Sequence, residues 1–197
     1  MNSKPWDARF ALWMVRPLSG TWVTPNHLTT LRLVVGLAAI AAFATGGLAA
    51  LGALLFAASN LLDHTDGELA RLTGKMSRTG HIYDLASDAL LHVLLFISIA
   101  IGLMRSGAGA WVLPAGIVAG AAVSAIFYMR NEIENRHGKT ATRQPRFGGL
   151  EAEDILYLLP VVTLLDGLMA FLTAAAVGAP LAAVIVGWQF LQLRRAE

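Results

Sequence analysis

Apolar residues run along this chain in six blocks of about 20, separated by short polar stretches that carry most of the charge. A hydrocarbon core of ~30 Å needs about 20 helical residues at 1.5 Å each. The blocks therefore predict six transmembrane helices: His27–Thr45, Gly47–Leu72, Thr79–Met104, Ala108–Arg136, Glu151–Phe171 and Ala175–Leu193. The segment Lys4–Leu18 is patterned differently. Trp6, Phe10, Trp13 and Met14 share one helical face, with Lys4, Arg9 and Arg16 elsewhere. Periodic rather than continuous apolar residues predict an amphipathic helix lying in the membrane interface. They also argue against a signal peptide, as does the lack of a small-residue cleavage site. The expected fold is an all-α integral membrane protein in one domain, residues 1–197. Its interfacial helix lies within 1–20 and its six-helix bundle within 27–195.

Composition agrees with the pattern. Of 197 residues, 56% are hydrophobic and 14% charged, where a soluble domain carries about 25% charge. The absence of cysteine excludes disulfides, thiolate metal sites and a thiol nucleophile. The net charge is +2 and there is no long basic run, so nucleic acid is not an expected partner.

The placement of the charges gives orientation. With the N-terminus inside, 14 of the 15 Lys and Arg residues fall on inside segments and Arg105 alone falls outside. That bias matches the positive-inside rule. Both termini are expected in the cytoplasm, in a bacterial or archaeal inner or cell membrane.

The second and third predicted helices carry the candidate chemistry. They hold Asp63, Asp66, Glu68, Arg71, Asp84 and Asp88. A carboxylate deep in a bilayer is unfavourable by about 2.5–3.5 kcal/mol on an insertion scale, so four of them require partners. Arg71 alone cannot offset that total; divalent cations can. Asp63 and Asp66 are spaced i, i+3, and Asp84 and Asp88 i, i+4, so each pair shares a helical face. Joined by Leu72–Thr79 as an antiparallel hairpin, Asp66 and Asp84 match in depth, as do Asp63 and Asp88. Four oxygen ligands in one volume favour Mg²⁺ or Mn²⁺, and a pair of such ions serves phosphoryl chemistry. Gly67 and Ala70 beside the first stripe, and Gly80 ahead of the second, leave room for a ligand. Arg71, one turn beyond Gly67, can hold a phosphate bidentately. A cytoplasm-facing pocket for a diphosphate-containing substrate is the expectation.

The segment Asp63-x-x-Asp66-Gly67-x-x-Ala70-Arg71, eight residues, Gly80, three residues, Asp84, three residues, Asp88 resembles the motif of the CDP-alcohol phosphatidyltransferase family at all eight fixed positions. Pro25-Asn26-x-x-Thr29-x-x-Arg32 is similar to the family's upstream P-N-x-x-T-x-x-R. An amphipathic helix plus six spans also matches its smaller members. The resemblance implies that Asp63, Asp66 and Asp84 ligate metal, and that Asp88 completes the metal site and acts as general base. It implies that Gly67, Ala70 and Arg71 line the cytidine-diphosphate pocket, with Asn26, Thr29 and Arg32 near it. The implied reaction moves a phosphatidyl group from CDP-diacylglycerol to a small alcohol and releases CMP. The implied cofactor is Mg²⁺ or Mn²⁺, as a two-metal site. Membrane lipids are implied partners, and so is a homodimer.

The remaining polar residues are less informative. Glu68 is expected to find a helix partner or solvent, and His64 and His81 to make ordinary polar contacts. His92 is expected to be a satisfied buried histidine, with orientation of Asp88 as its alternative role. Lys139, Arg143 and Arg146 are candidates for a phosphorylated polyol acceptor such as glycerol 3-phosphate or inositol phosphate. The acids Glu151, Glu153 and Asp154 favour a helix N-terminus; an ammonium site for serine, choline or ethanolamine is the alternative. Asp166 is expected at the outer end of the fifth helix. Trp6, Trp22, Trp111 and Trp188 suit interfacial positions. Two other functions compete: a CDP-choline or CDP-ethanolamine phosphotransferase, and a divalent-cation transporter using the same carboxylates. The outer halves of the helices hold no matching acidic pair to form a transport path.

Overall fold

The computed structural model describes residues 6–138 and 152–195. All regular structure among them is helical: α1 Trp6–Val15, α2 Pro25–Ala44, α3 Ala49–Thr73, α4 Arg78–Arg105, α5 Val112–His137, α6 Leu159–Leu164 and α7 Leu168–Arg195, with 3₁₀ turns at Arg16–Leu18 and Ala152–Leu158. Four of them, α2, α4, α5 and α7, are long and apolar enough to cross a membrane. The 25-residue α3 has the length, but its acidic half lowers its hydropathy.

Local signals set the element ends. Pro25 opens α2, where its missing N–H is no loss. The Thr24 backbone N–H donates to His27 Nδ1 at 3.2 Å. Gly74 ends α3 in the left-handed region at φ 66°, and Ser77 caps α4 by accepting from the Gly80 N–H at 3.0 Å. The loop between α3 and α4 is therefore shorter than the expected eight residues, and the two aspartate-bearing helices do not pair as the expected hairpin: each packs against α2, which bridges them.

Packing follows a central group. α2 lies against both α3 and α4, α4 against α5, and α5 against α7; α1 and α6 flank α3. The core holds Phe43, Phe56, Leu91, Leu95, Phe96, Ile99, Leu159 and Leu172. Small residues allow the close crossings. A Cβ on Gly102 would run into the Phe43 carbonyl oxygen, and one on Gly116 would meet that of Phe96 at 2.6 Å. On α1, Ala11 and Val15 face inward and Phe10 and Trp13 outward. Val15 packs with Leu28 and Leu69. Trp22, Trp111 and Trp188 are exposed.

The fifth and sixth predicted helices need correction. Glu151–Phe171 is not one helix: a 3₁₀ turn leads into the six-residue α6, which stops at Leu164. Asp166 takes φ 51°. The Gly167 N–H reaches the Val162 carbonyl at 2.8 Å, and the Asp166 N–H reaches that of Thr163 at 3.1 Å. These are the paired bonds of a Schellman stop. The last helix then begins at Leu168, not Ala175, and continues through Pro180 to Arg195.

Candidate active site

The site is assembled where α2 packs against both α3 and α4. From α2, Thr29 and Arg32 lie one turn apart and project toward the acids. Thr29 Oγ1 donates to Asp66 Oδ2 at 2.6 Å. Arg32 Nη1 contacts Asp63 Oδ1 at 2.5 Å and Asp84 Oδ1 at 2.9 Å, and Nη2 pairs with Asp88 Oδ1. Arg32 is 1% exposed. Its Nε is buried with no hydrogen-bond partner, so the guanidinium is held by its two Nη groups on the carboxylates. Ser59 Oγ donates to the Arg32 carbonyl oxygen at 3.0 Å and fixes the α2 backbone there.

The four aspartates are brought together, and not equivalently. Asp63, Asp66 and Asp84 each offer a carboxylate oxygen, and these three atoms lie within 4.8 Å of one another. Asp66 is buried; Asp63 and Asp84 keep about a third of their side-chain surface open. This donor set is all oxygen and anionic, with open faces, and fits a hard divalent ion. Asp88 joins the group through Arg32.

The neighbours of the motif fall into place around this cluster. Gly67 faces open space: an added Cβ meets nothing closer than Arg71 Nη2, at 3.9 Å. Arg71 Nη1 donates to Glu68 Oε1 at 2.6 Å. Glu68 is buried, while the Arg71 side chain is more than half exposed. Arg71 is therefore the partner of Glu68, and the cation that offsets the aspartates is Arg32. On sequence alone Arg71 is the candidate for that role; the signal for Arg32 is that it is the single charged residue in the Leu28–Ala44 stretch.

Gly80 also has a different role from the one expected. Its empty side is filled from within: a Cβ there would lie 2.9 Å from Asn26 Oδ1 and 3.0 Å from Ser77 Oγ. Gly80 thus lets α2 and α4 close together around Asn26, and the room for a ligand lies at Gly67.

His92 is buried and satisfied. Its Nδ1 is 2.8 Å from the Asp88 carbonyl oxygen, and its ring stacks on Phe127 at 4.4 Å between centroids. His64 Nδ1 lies 3.1 Å from the Asn60 carbonyl oxygen and 3.4 Å from Tyr157 Oη. Lys139, Arg143, Arg146 and Glu151 lie outside the described residues, as do the side chains of Glu153 and Asp154.

Two comparisons bear on this geometry. The sequence profile described as CDP-alcohol phosphatidyltransferase matches residues 22–191. Over 87 residues the chain is 34% identical to the archaetidylinositol phosphate synthase of Pyrococcus horikoshii, a stretch covering 44% of this chain and 46% of that protein. The match thus spans about half the length of the curated relative. The profile covers every residue that α2, α3 and α4 bring to the site, and the chain belongs to the CDP-alcohol phosphatidyltransferase family.

Proposed function

We propose that the protein transfers a phosphatidyl-type group from a CDP-linked lipid to a small alcohol and releases CMP. One observation carries the reading: Asp63, Asp66 and Asp84 converge from two consecutive helices beside the open space at Gly67. Family membership supports the same chemistry.

In this reading Asp63, Asp66 and Asp84 hold Mg²⁺ or Mn²⁺, with Asp88 at the edge of the site. Bound divalent ions would neutralise the diphosphate and the charge on departing CMP. Gly67 and Ala70 leave the nucleotide room on the α3 face. Arg71, steadied by Glu68 through one Nη, has donors left for a phosphate oxygen. Asp88 takes the proton from the acceptor hydroxyl as its oxygen attacks phosphorus. The bond to the CMP oxygen breaks, and CMP leaves. Asn26 and Thr29 keep α2 seated against α3 and α4.

The acceptor proposed is a phosphorylated polyol such as inositol phosphate or glycerol 3-phosphate, held by Lys139, Arg143 and Arg146. The Pyrococcus relative is named for an archaetidylinositol phosphate product, which supports that choice over serine, choline or ethanolamine. The proposed setting is a single membrane domain with six crossings. The 3₁₀ turn and α6 together form a short fifth crossing, and both chain ends and the site face the cytoplasm. A homodimer is the proposed assembly.

Purified protein supplied with a diacyl or archaetidyl CDP-lipid and a panel of alcohols tests the reading, with CMP as the common readout. CMP release that requires a phosphorylated polyol is the expected result. Release with serine or choline instead overturns the acceptor assignment, and no release with any alcohol overturns the transferase assignment.

A further inference from the structure

Glu68 occupies no fixed position of the motif, yet it is more deeply buried than Asp66, at 3% against 5% exposure. It shares a turn of α3 with the buried Thr65 and Leu69, and Leu69 packs with Val15 of α1. A carboxylate in such a place is unfavourable unless a cation meets it. Arg71, one turn on, does so: its Nη1 donates to Glu68 Oε1 at 2.6 Å. The rest of the arginine stays in the open, with 56% of its side-chain surface exposed. Its Nη2 is the atom nearest the Cβ position at Gly67, at 3.9 Å.

From this arrangement we propose that Glu68 is a positioning residue for the diphosphate of the CDP-lipid, acting through Arg71. The proposal rests on the transferase reading above and adds to it a residue and a constraint. A guanidinium offers its N–H groups in a fixed planar fork. With Nη1 engaged by Glu68, the parallel N–H pair left is that of Nε and Nη2, and Nη2 borders the space at Gly67. That edge suits two phosphate oxygens. Glu68 thereby selects which edge of Arg71 meets the substrate. It also orders a long, exposed side chain before the substrate arrives, which lowers the cost of binding. Arg71 does not exchange Glu68 for the substrate. Letting go would take a charged partner from a buried carboxylate, so the diphosphate is added to the pair and not traded for it. Glu68 therefore governs CDP-lipid affinity and leaves the transfer step itself unaltered.

A double-mutant cycle between Glu68 and Arg71, read as CDP binding, tests this apart from turnover. Detergent-purified full-length protein is equilibrated with labelled CDP in Mg²⁺. Glu68→Ala is expected to weaken CDP about tenfold, the scale of one charge-assisted contact. Glu68→Gln, which keeps the shape and an acceptor oxygen, is expected to fall between it and wild type. In an Arg71→Ala background neither change is expected to weaken CDP further, because residues that act through one contact are not additive. With CDP-lipid and alcohol supplied, the KM for CDP-lipid should rise while kcat at saturation stays within about twofold. A merely structural role for Glu68 would lower affinity equally in both backgrounds, and that additive result overturns the proposal. So does CDP affinity in Glu68→Ala equal to wild type. If Glu68→Ala does not fold, the Glu68→Gln cycle decides by the same rule. CMP release separates the two readings. A non-additive cycle without CMP release from any alcohol sinks the transferase assignment alone. CMP release with an additive cycle sinks this proposal alone, and wild type that neither binds CDP nor releases CMP sinks both.

Discussion

Thr29 Oγ1 donates a 2.6 Å hydrogen bond to Asp66 Oδ2, and Asp66 is the most buried of the four motif aspartates. The bond joins α2 to α3 at the innermost acid and leaves the rest of that carboxylate for a cation. Thr29→Val keeps the shape and removes the donor. Leaving a buried acceptor unmet is unfavourable by about 1–3 kcal/mol. Thermal unfolding in detergent with chelator present should show a lower midpoint for Thr29→Val. An unchanged midpoint would mean the bond does not hold α2.

Chelation should abolish CMP release, and Mg²⁺ or Mn²⁺ should restore it. Asp63→Asn, Asp66→Asn and Asp84→Asn should shift restoration to higher metal concentrations. Asp88→Asn should lose turnover by ~10²–10⁴-fold, the usual worth of a general base, at saturating metal. Near-normal CMP release from Asp88→Asn would refute its role.

The same substitution at two glycines should give opposite results. Gly67→Ala meets only Arg71 Nη2 at 3.9 Å, and alanine favours a helix over glycine by about 0.5–1 kcal/mol. Its unfolding midpoint should hold or rise while the KM for CDP-lipid rises. Gly102→Ala drives a methyl into the Phe43 carbonyl oxygen, an overpacking unfavourable by about 1–3 kcal/mol or more. A lowered midpoint for Gly67→Ala, or an unaltered one for Gly102→Ala, would contradict the packing described.

The chain has no cysteine, so a single Lys139→Cys gives an unambiguous accessibility label. A membrane-impermeant maleimide applied to intact cells should leave it unlabelled, and cell opening should expose it. Labelling from outside would refute both the six-crossing topology and the cytoplasmic site.

Arg143→Ala or Arg146→Ala should raise the acceptor KM about tenfold or more, near 1.4 kcal/mol per decade, with CDP-lipid KM nearly unchanged. Steady-state kinetics with each substrate varied in turn checks this. Equal effects on both substrates would remove these residues from acceptor binding.

The convergence of the aspartates was legible because acid spacing on two helices joined by a short loop is local information. Asp63, Asp66, Asp84 and Asp88 lie on two consecutive helices, and their order fixes their faces. Arg32 was harder to place because the rotation of α2 against α3 and α4 depends on tertiary packing, here on Ser59, Thr29 and the crossing at Gly102. The helix break at Asp166 was written in the sequence as an Asp-Gly pair, a turn signal. The surrounding leucines and valines masked it, because hydropathy averaged over 20 residues does not register one left-handed residue. Gly80 shows the opposite limit. A missing side chain marks a close approach, and the sequence does not say whether a ligand or Asn26 makes it.

The placement of Arg32 on α2 also matters for how the chain is made. A helix with the acids of α3 has little drive of its own to leave the translocation channel for lipid. In N-to-C synthesis α2 emerges first, so the cation is already in the bilayer when Asp63 arrives, and Asp84 and Asp88 follow to a neutralised partner. A circular permutant that placed α3 and α4 ahead of α2 would reverse that order and present four unshielded acids to the lipid. Its yield of inserted protein should fall even though every contact of the finished fold remains available.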